Sequence, residues 1–133
     1  MPPTPTFSVA STFPQIQASI FNVSCLGLSC HNASDQAGDL VLEGSVAYAN
    51  LVGPPPPTPI NVVANQDGML RVDPGNPANS FLLTKLDLPT AFDPQFGSRM
   101  PLGNPPLTAE QIEDIRAWIL RGALADEAAP GGN

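Results

Sequence analysis

Both cysteines and the single histidine of this chain fall in one stretch, Cys25-Leu26-Gly27-Leu28-Ser29-Cys30-His31. A cysteine, a second cysteine and an immediately following histidine is the arrangement that attaches a c-type haem. Two thiols form thioethers with the two vinyl groups, and the adjacent imidazole becomes an axial iron ligand. The usual spacing leaves two residues between the cysteines; here Leu26 to Ser29 stand between them. The longer step requires a bulge in the backbone, which Gly27 and the small Ser29 permit.

The same residues admit other chemistry. A Cys25–Cys30 disulfide would close a short loop and contribute roughly 2 kcal/mol. That is the staple of a haem-free structural or interaction module, and it leaves His31 unused. A blue-copper site needs two histidines and a cysteine. A structural zinc needs about four ligands, and His31 beside Cys30 is poor tetrahedral geometry. A thiol–disulfide oxidoreductase has two residues between its cysteines in a βαβ context, and both are missing. No nucleophile–base constellation exists beyond His31, so hydrolysis has no support.

Charge and composition narrow the partners. The chain of 133 residues is one domain's worth and has a formal net charge of −7. Arg71, Lys85, Arg99, Arg116 and Arg121 are its only cations and are scattered. Nucleic-acid binding needs clustered cations, so it is excluded, and docking on anionic lipid is disfavoured. No apolar run approaches the roughly 20 residues that span a bilayer. Met1-Pro2-Pro3-Thr4-Pro5 has neither the charged start nor the apolar centre of a signal peptide. Seventeen prolines and eleven glycines, clustered between periodic segments, predict short helices joined by long stiff loops. Such a fold needs a staple, whether disulfide, metal or cofactor.

Residues 1–12 read as a Pro/Thr-rich tail or linker and 124–133 as a flexible acidic, Gly-rich tail, leaving 13–123 as the domain. Phe13, Ile16, Ile20, Phe21 and Val23 predict a first helix ending near Ser24, with Pro14 in its first turn. Gly38-Asp39-Leu40-Val41-Leu42 is a short strand or a compact turn. Ser45 to Leu51 predicts a helix capped by Gly44 or Ser45. Pro54 to Pro59 reads as a stiff surface spacer. Asn61-Val62-Val63 and Met69 to Val72 predict a small hairpin turning at Asp67-Gly68. Ala78 to Leu86 predicts a helix, followed by a long loop from Asp87 to Pro106. Thr108 and Gln111 form a capping-box pattern. Ile112, Ile115, Trp118 and Ile119 then lie on one helical face, which Gly122 ends.

One histidine cannot supply both axial positions of an iron, so a second ligand must come from Met1, Met69 or Met100, or be absent. Pro101 holds Met100 extended and removes a competing amide donor, which makes Met100 the best placed. Met69, beside Leu70, reads as core. Arg71, Lys85 and above all Arg99 are candidates to pair with haem propionates. Tyr48 is a weaker one, because a buried ring with its hydroxyl at the surface is the favoured reading.

Taken in order, these pieces resemble the class I cytochrome c family, and in particular bacterial modules with a lengthened haem motif. The pieces are Gln15 to Phe21, Cys25…Cys30-His31, Ala47 to Val52, Pro74 to Ser80, Arg99-Met100-Pro101, and Pro106 to Ile112 leading to Trp118-Ile119. They cover Phe13 to Ala123. The resemblance implies a mainly α, class I cytochrome c-like fold with short helices and long Pro-rich loops. It implies one haem c joined to Cys25 and Cys30, with His31 proximal and Met100 distal. It also implies that the first and last helices cross, bringing Ile20 or Phe21 near Trp118. The function so expected is one-electron transfer by a carrier, or by the electron-transfer domain of a larger enzyme. Its partners would be redox proteins with basic docking surfaces. Covalent haem attachment places it in the periplasm or elsewhere outside the cytoplasm, with a signal peptide or the rest of a longer chain outside this sequence.

Overall fold

The computed structural model describes residues 11–26, 31, 40–44, 46–101 and 105–125. Cys30 and residues 1–10, 27–29, 32–39, 45, 102–104 and 126–133 lie outside that set, and with them most of both tails. The described chain is mainly helical, with one two-stranded antiparallel sheet.

Helix α1 runs from Phe13–Ile16 through a π turn at Gln17–Phe21 to Asn22–Ser24. Pro14 sits in its first turn, where the missing N–H costs nothing. Phe13, Ile16, Ile20 and Phe21 of its expected apolar side are buried, whereas Val23, in the last turn, is 74% exposed. The helix closes on Cys25, whose amide donates to the Phe21 carbonyl. Helix α2, Ala47–Leu51, starts at Val46 rather than at the expected Gly44 or Ser45, with no side-chain cap. It buries Ala47 and Leu51 against α1 in the same core.

The expected hairpin over 61–72 is replaced by a helix, α3, Val62–Gln66. The side chain of Asn61 accepts from the Ala64 amide and starts it. Asp67-Gly68 serves as a helix stop: Gly68 has φ 77°, and the Met69 amide returns to the Ala64 carbonyl. The β-branched Val62 points outward and only Ala64 is buried, so β propensity had no packed face to act on. The segment after it makes a single β-bridge and then bends. Leu70 bridges to Ser80, and the Leu82 amide donates to the Arg71 carbonyl.

The expected helix over 78–86 is divided. A 3₁₀ turn at Pro77–Asn79 is followed by extended Ser80 and then α4, Phe81–Leu86. A small hairpin does exist, inside the predicted loop. Strands β1, Phe92–Asp93, and β2, Gly97–Ser98, pair Phe92 with Ser98 and Asp93 with Gly97. Asp93 Oδ1 accepts from the Gln95 and Phe96 amides and shapes the turn.

The last helix, α5, Ala109–Leu120, carries the predicted capping box, with Thr108 and Gln111 bonding reciprocally. Gly122, φ 107°, follows its end. Ile115, Trp118 and Ile119 are fully buried, worth roughly 1.5–3 kcal/mol for each aliphatic side chain. Helices α1 and α5 pack together as expected, but Phe13 provides the aromatic contact, its ring 5.2 Å from that of Trp118. Thr108→Ala should cost about 1 kcal/mol, read as a lower urea midpoint at unchanged m.

Candidate functional site

A cavity of about 480 Å³ lies between the end of α1, the 40–42 segment, α4 and the β1–β2 hairpin. Cys25 and His31 reach it from one side of the sequence and Met100 from the other. Its walls are apolar, including Phe21, Leu40, Leu42, Leu82 and Phe96, with Pro59, Ile60 and Val62 also contributing. Ile60 and Val62 are more than 60% exposed and form a rim.

His31 is held by its own backbone and by its ring. Its amide donates to the Cys25 carbonyl at 3.0 Å, which closes the motif on itself. Its carbonyl accepts from the Leu42 amide at 2.8 Å. Ring Nδ1 lies 3.0 Å from the Leu40 carbonyl oxygen. A carbonyl only accepts, so Nδ1 carries a proton, and in the neutral ring Nε2 is the nitrogen with the free lone pair. That is the tautomer of a metal-ligating histidine whose other nitrogen is tied to backbone.

Met100 is positioned by the hairpin. The Arg99 amide extends the pairing to the Ala91 carbonyl, and the Met100 amide then donates to the Lys85 carbonyl on α4 at 2.9 Å. Met69 is instead buried in a second cluster with Ala64 and Phe81. Arg99 does not line the cavity; its guanidinium donates to the Leu88 carbonyl. The cations that do line it are Arg71 and Lys85. Arg71 is held by the Asn50 carbonyl and Lys85 by the Phe96 carbonyl. Burial pushes the Lys85 ammonium below its ordinary range. No Asp or Glu is among the described residues that line the cavity. The Tyr48 hydroxyl donates to the Ala123 carbonyl at 2.7 Å and is therefore committed elsewhere.

The donor set fits a haem. One imidazole with a fixed tautomer and one soft thioether share an apolar cavity with a thiol, Cys25, buried at its edge. The volume is within the roughly 300–1,000 Å³ of cofactor sites. Two cations facing apolar walls suit a ligand with an apolar body and an anionic end. Among the described residues no three of His, Cys, Asp and Glu cluster as a metal site of that kind. None of the helices formed by the described residues is long and apolar enough to cross a membrane. The chain matches no protein family, no curated protein and no solved structure.

Sequence reasoning missed Gln17 and Asn50, which touch the 40–42 segment behind His31. A polar residue inside a short helix carries no signal of what it reaches across the fold.

Proposed function

We propose that this chain is a mono-haem c-type cytochrome domain of class I type that transfers one electron and is not itself an enzyme. The observation that carries the reading is the convergence of Cys25, His31 and Met100 on one apolar cavity. Cys25 and Cys30 would each add a thiol across a vinyl group. His31 would offer Nε2 and Met100 its sulfur as axial ligands, and Arg71 and Lys85 would face the propionates. When bound, haem c supplies an iron that cycles between Fe(III) and Fe(II).

The residues do the rest. Leu40, Leu42, Leu82 and Phe96 exclude water from the site, which limits solvent reorganisation. The Leu40 carbonyl raises the basicity of the His31 ring and fixes its plane. A net charge of −7 favours redox partners with basic surfaces, with on-rates that fall as salt rises. Because thioether attachment takes place outside the cytoplasm, the reading places the domain in the periplasm or beyond it.

An absorption spectrum tests this. A reduced c-type α-band whose chromophore stays with the protein through acid-acetone extraction is the expected result. A colourless protein without reactive thiols, recovered from a host with haem-attachment machinery, would instead support the haem-free disulfide module.

Lys85 makes a second test. Its ammonium is disfavoured in the folded haem-free chain, so the folded pKa lies below the unfolded 10.5. In that window the unfolded state binds more protons, and stability rises with pH between the two values. Lys85→Met should remove this rise, so that the variant gains less stability between pH 7 and 10 than the wild type does. The haem-loaded variant should show a lower reduction potential, because a positive charge favouring Fe(II) has gone. Urea titrations at pH 7 and 10, with potentiometry, read both.

A further inference from the structure

We propose that Gln17 and Asn50 are positioning residues for His31, acting through the backbone of Leu40–Leu42. The inference rests on the haem reading above and extends it to residues that touch neither iron nor haem.

The 40–42 segment has no regular secondary structure of its own. It is nevertheless gripped at every carbonyl by a different side chain. The Leu40 oxygen accepts from His31 Nδ1 at 3.0 Å. The Val41 oxygen accepts from Asn50 Nδ2 at 3.0 Å. The Leu42 oxygen accepts from Gln17 Nε2 at 2.8 Å, in a buried bond. The Leu42 amide donates back to the His31 carbonyl at 2.8 Å. The acceptor that sets the His31 tautomer thus belongs to an irregular strip pinned by two amides from two helices.

Gln17 is built for this task at a cost. It is 8% exposed and stands in the π turn of α1. Its Nε2 donates to Asn22 Oδ1 at 2.8 Å as well as to Leu42. Its Oε1 is buried with no hydrogen-bond partner. Turning the amide over would give Oε1 two acceptors to face, so the orientation is fixed. Burying an unpaired acceptor is unfavourable, and the arrangement persists because both donors are used. Asn50 does double duty: its own carbonyl accepts from Arg71, a cation of the cavity. One helix position therefore braces the strip behind His31 and a charged wall of the same site.

The consequence concerns ligand strength. A firm Nδ1–H···O=C bond makes the imidazole more basic and favours Fe(III). Loosening the strip weakens that bond and favours Fe(II).

The experiment uses Gln17→Met and Asn50→Leu, which keep approximate size, remove the amide donor and add no charge, with Thr108→Ala as a destabilised control at the far cap. Two readouts are taken. Ring ¹⁵N NMR of the haem-free protein gives the His31 tautomer ratio. Equilibration of the haem-loaded protein with a mediator of fixed potential gives the redox balance. The wild type should hold the Nδ1–H tautomer, and each variant should lose about fivefold in that ratio. The redox balance should move roughly three- to tenfold toward the reduced form, with the control unmoved. Unchanged ratios and balance in both variants would overturn the proposal, as would an equal shift in Thr108→Ala. Should Gln17→Met fail to fold, Asn50→Leu decides alone. Should the wild type take up no haem, the function proposed above fails, while the tautomer ratio still decides the positioning roles.

Discussion

Met100→Ala in the haem-loaded protein is expected to lower the reduction potential by roughly 0.1–0.3 V, within the range over which axial ligands tune haem. A thioether is a soft donor that favours Fe(II). Water, the replacement nearest to hand once the side chain is gone, is a hard one. The weak charge-transfer band of a sulfur–iron bond should disappear with it. The fold should lose less than the site does, because Met100 is only partly buried at the edge of the core. Its backbone is held by hydrogen bonds that alanine keeps, the Arg99 amide to Ala91 and the Met100 amide to Lys85. Potentiometry and the near-infrared edge of the visible spectrum read the result. An unchanged potential with an unchanged band would remove Met100 from the iron and return the distal position to another donor.

Trp118→Ala should cost about 3–5 kcal/mol, out of a total that for a domain of this size is typically 5–15 kcal/mol. Trp118 is fully buried, and its ring lies 5.2 Å from that of Phe13. Phe13 in turn meets Tyr48 edge-on at 5.2 Å and Phe21 at 6.3 Å. The truncation therefore leaves a void where α1, α2 and α5 meet. It also loses the bond from Trp118 Nε1 to the Leu124 carbonyl, while the backbone bond from the Ala123 amide to the residue-118 carbonyl remains. Trp118→Phe should be milder, keeping most of the packing and losing the bond to Leu124. Urea unfolding followed by far-UV dichroism separates the two. A midpoint for Trp118→Ala within error of the wild type would show that the aromatic cluster is not what joins the helices.

Arg99 shows where local reading stops. It stands beside Met100, so sequence proximity suggested a shared site, yet an extended chain points successive side chains to opposite sides. Arg99 turns to Leu88, and the cavity is charged instead by Lys85 from α4 and by Arg71 from the strip after α3. The pairing of Asp67 with Gly68 fails for a related reason. A turn dipeptide fits both a hairpin and a helix end, and the choice fell to Asn61, whose side chain starts a helix six residues before Asp67. The capping box at Thr108 and Gln111 needs no such arbitration, because both of its bonds lie within four residues.

What the amino-acid order determined alone is therefore local. It set the ends and apolar faces of α1 and α5, and the bunching of Cys25, Cys30 and His31. It also set the proline that restricts Met100. Each follows from sterics or hydrogen bonds over a few residues. Tertiary structure decided which cations face the cavity, that Tyr48 is spent on Ala123, and that Gln17 and Asn50 brace the segment behind His31. Those outcomes depend on contacts between residues 9 to 75 positions apart, as for Asn50 with Val41 and Tyr48 with Ala123. No local periodicity encodes them, because a polar side chain finds its partner only after the apolar faces have packed.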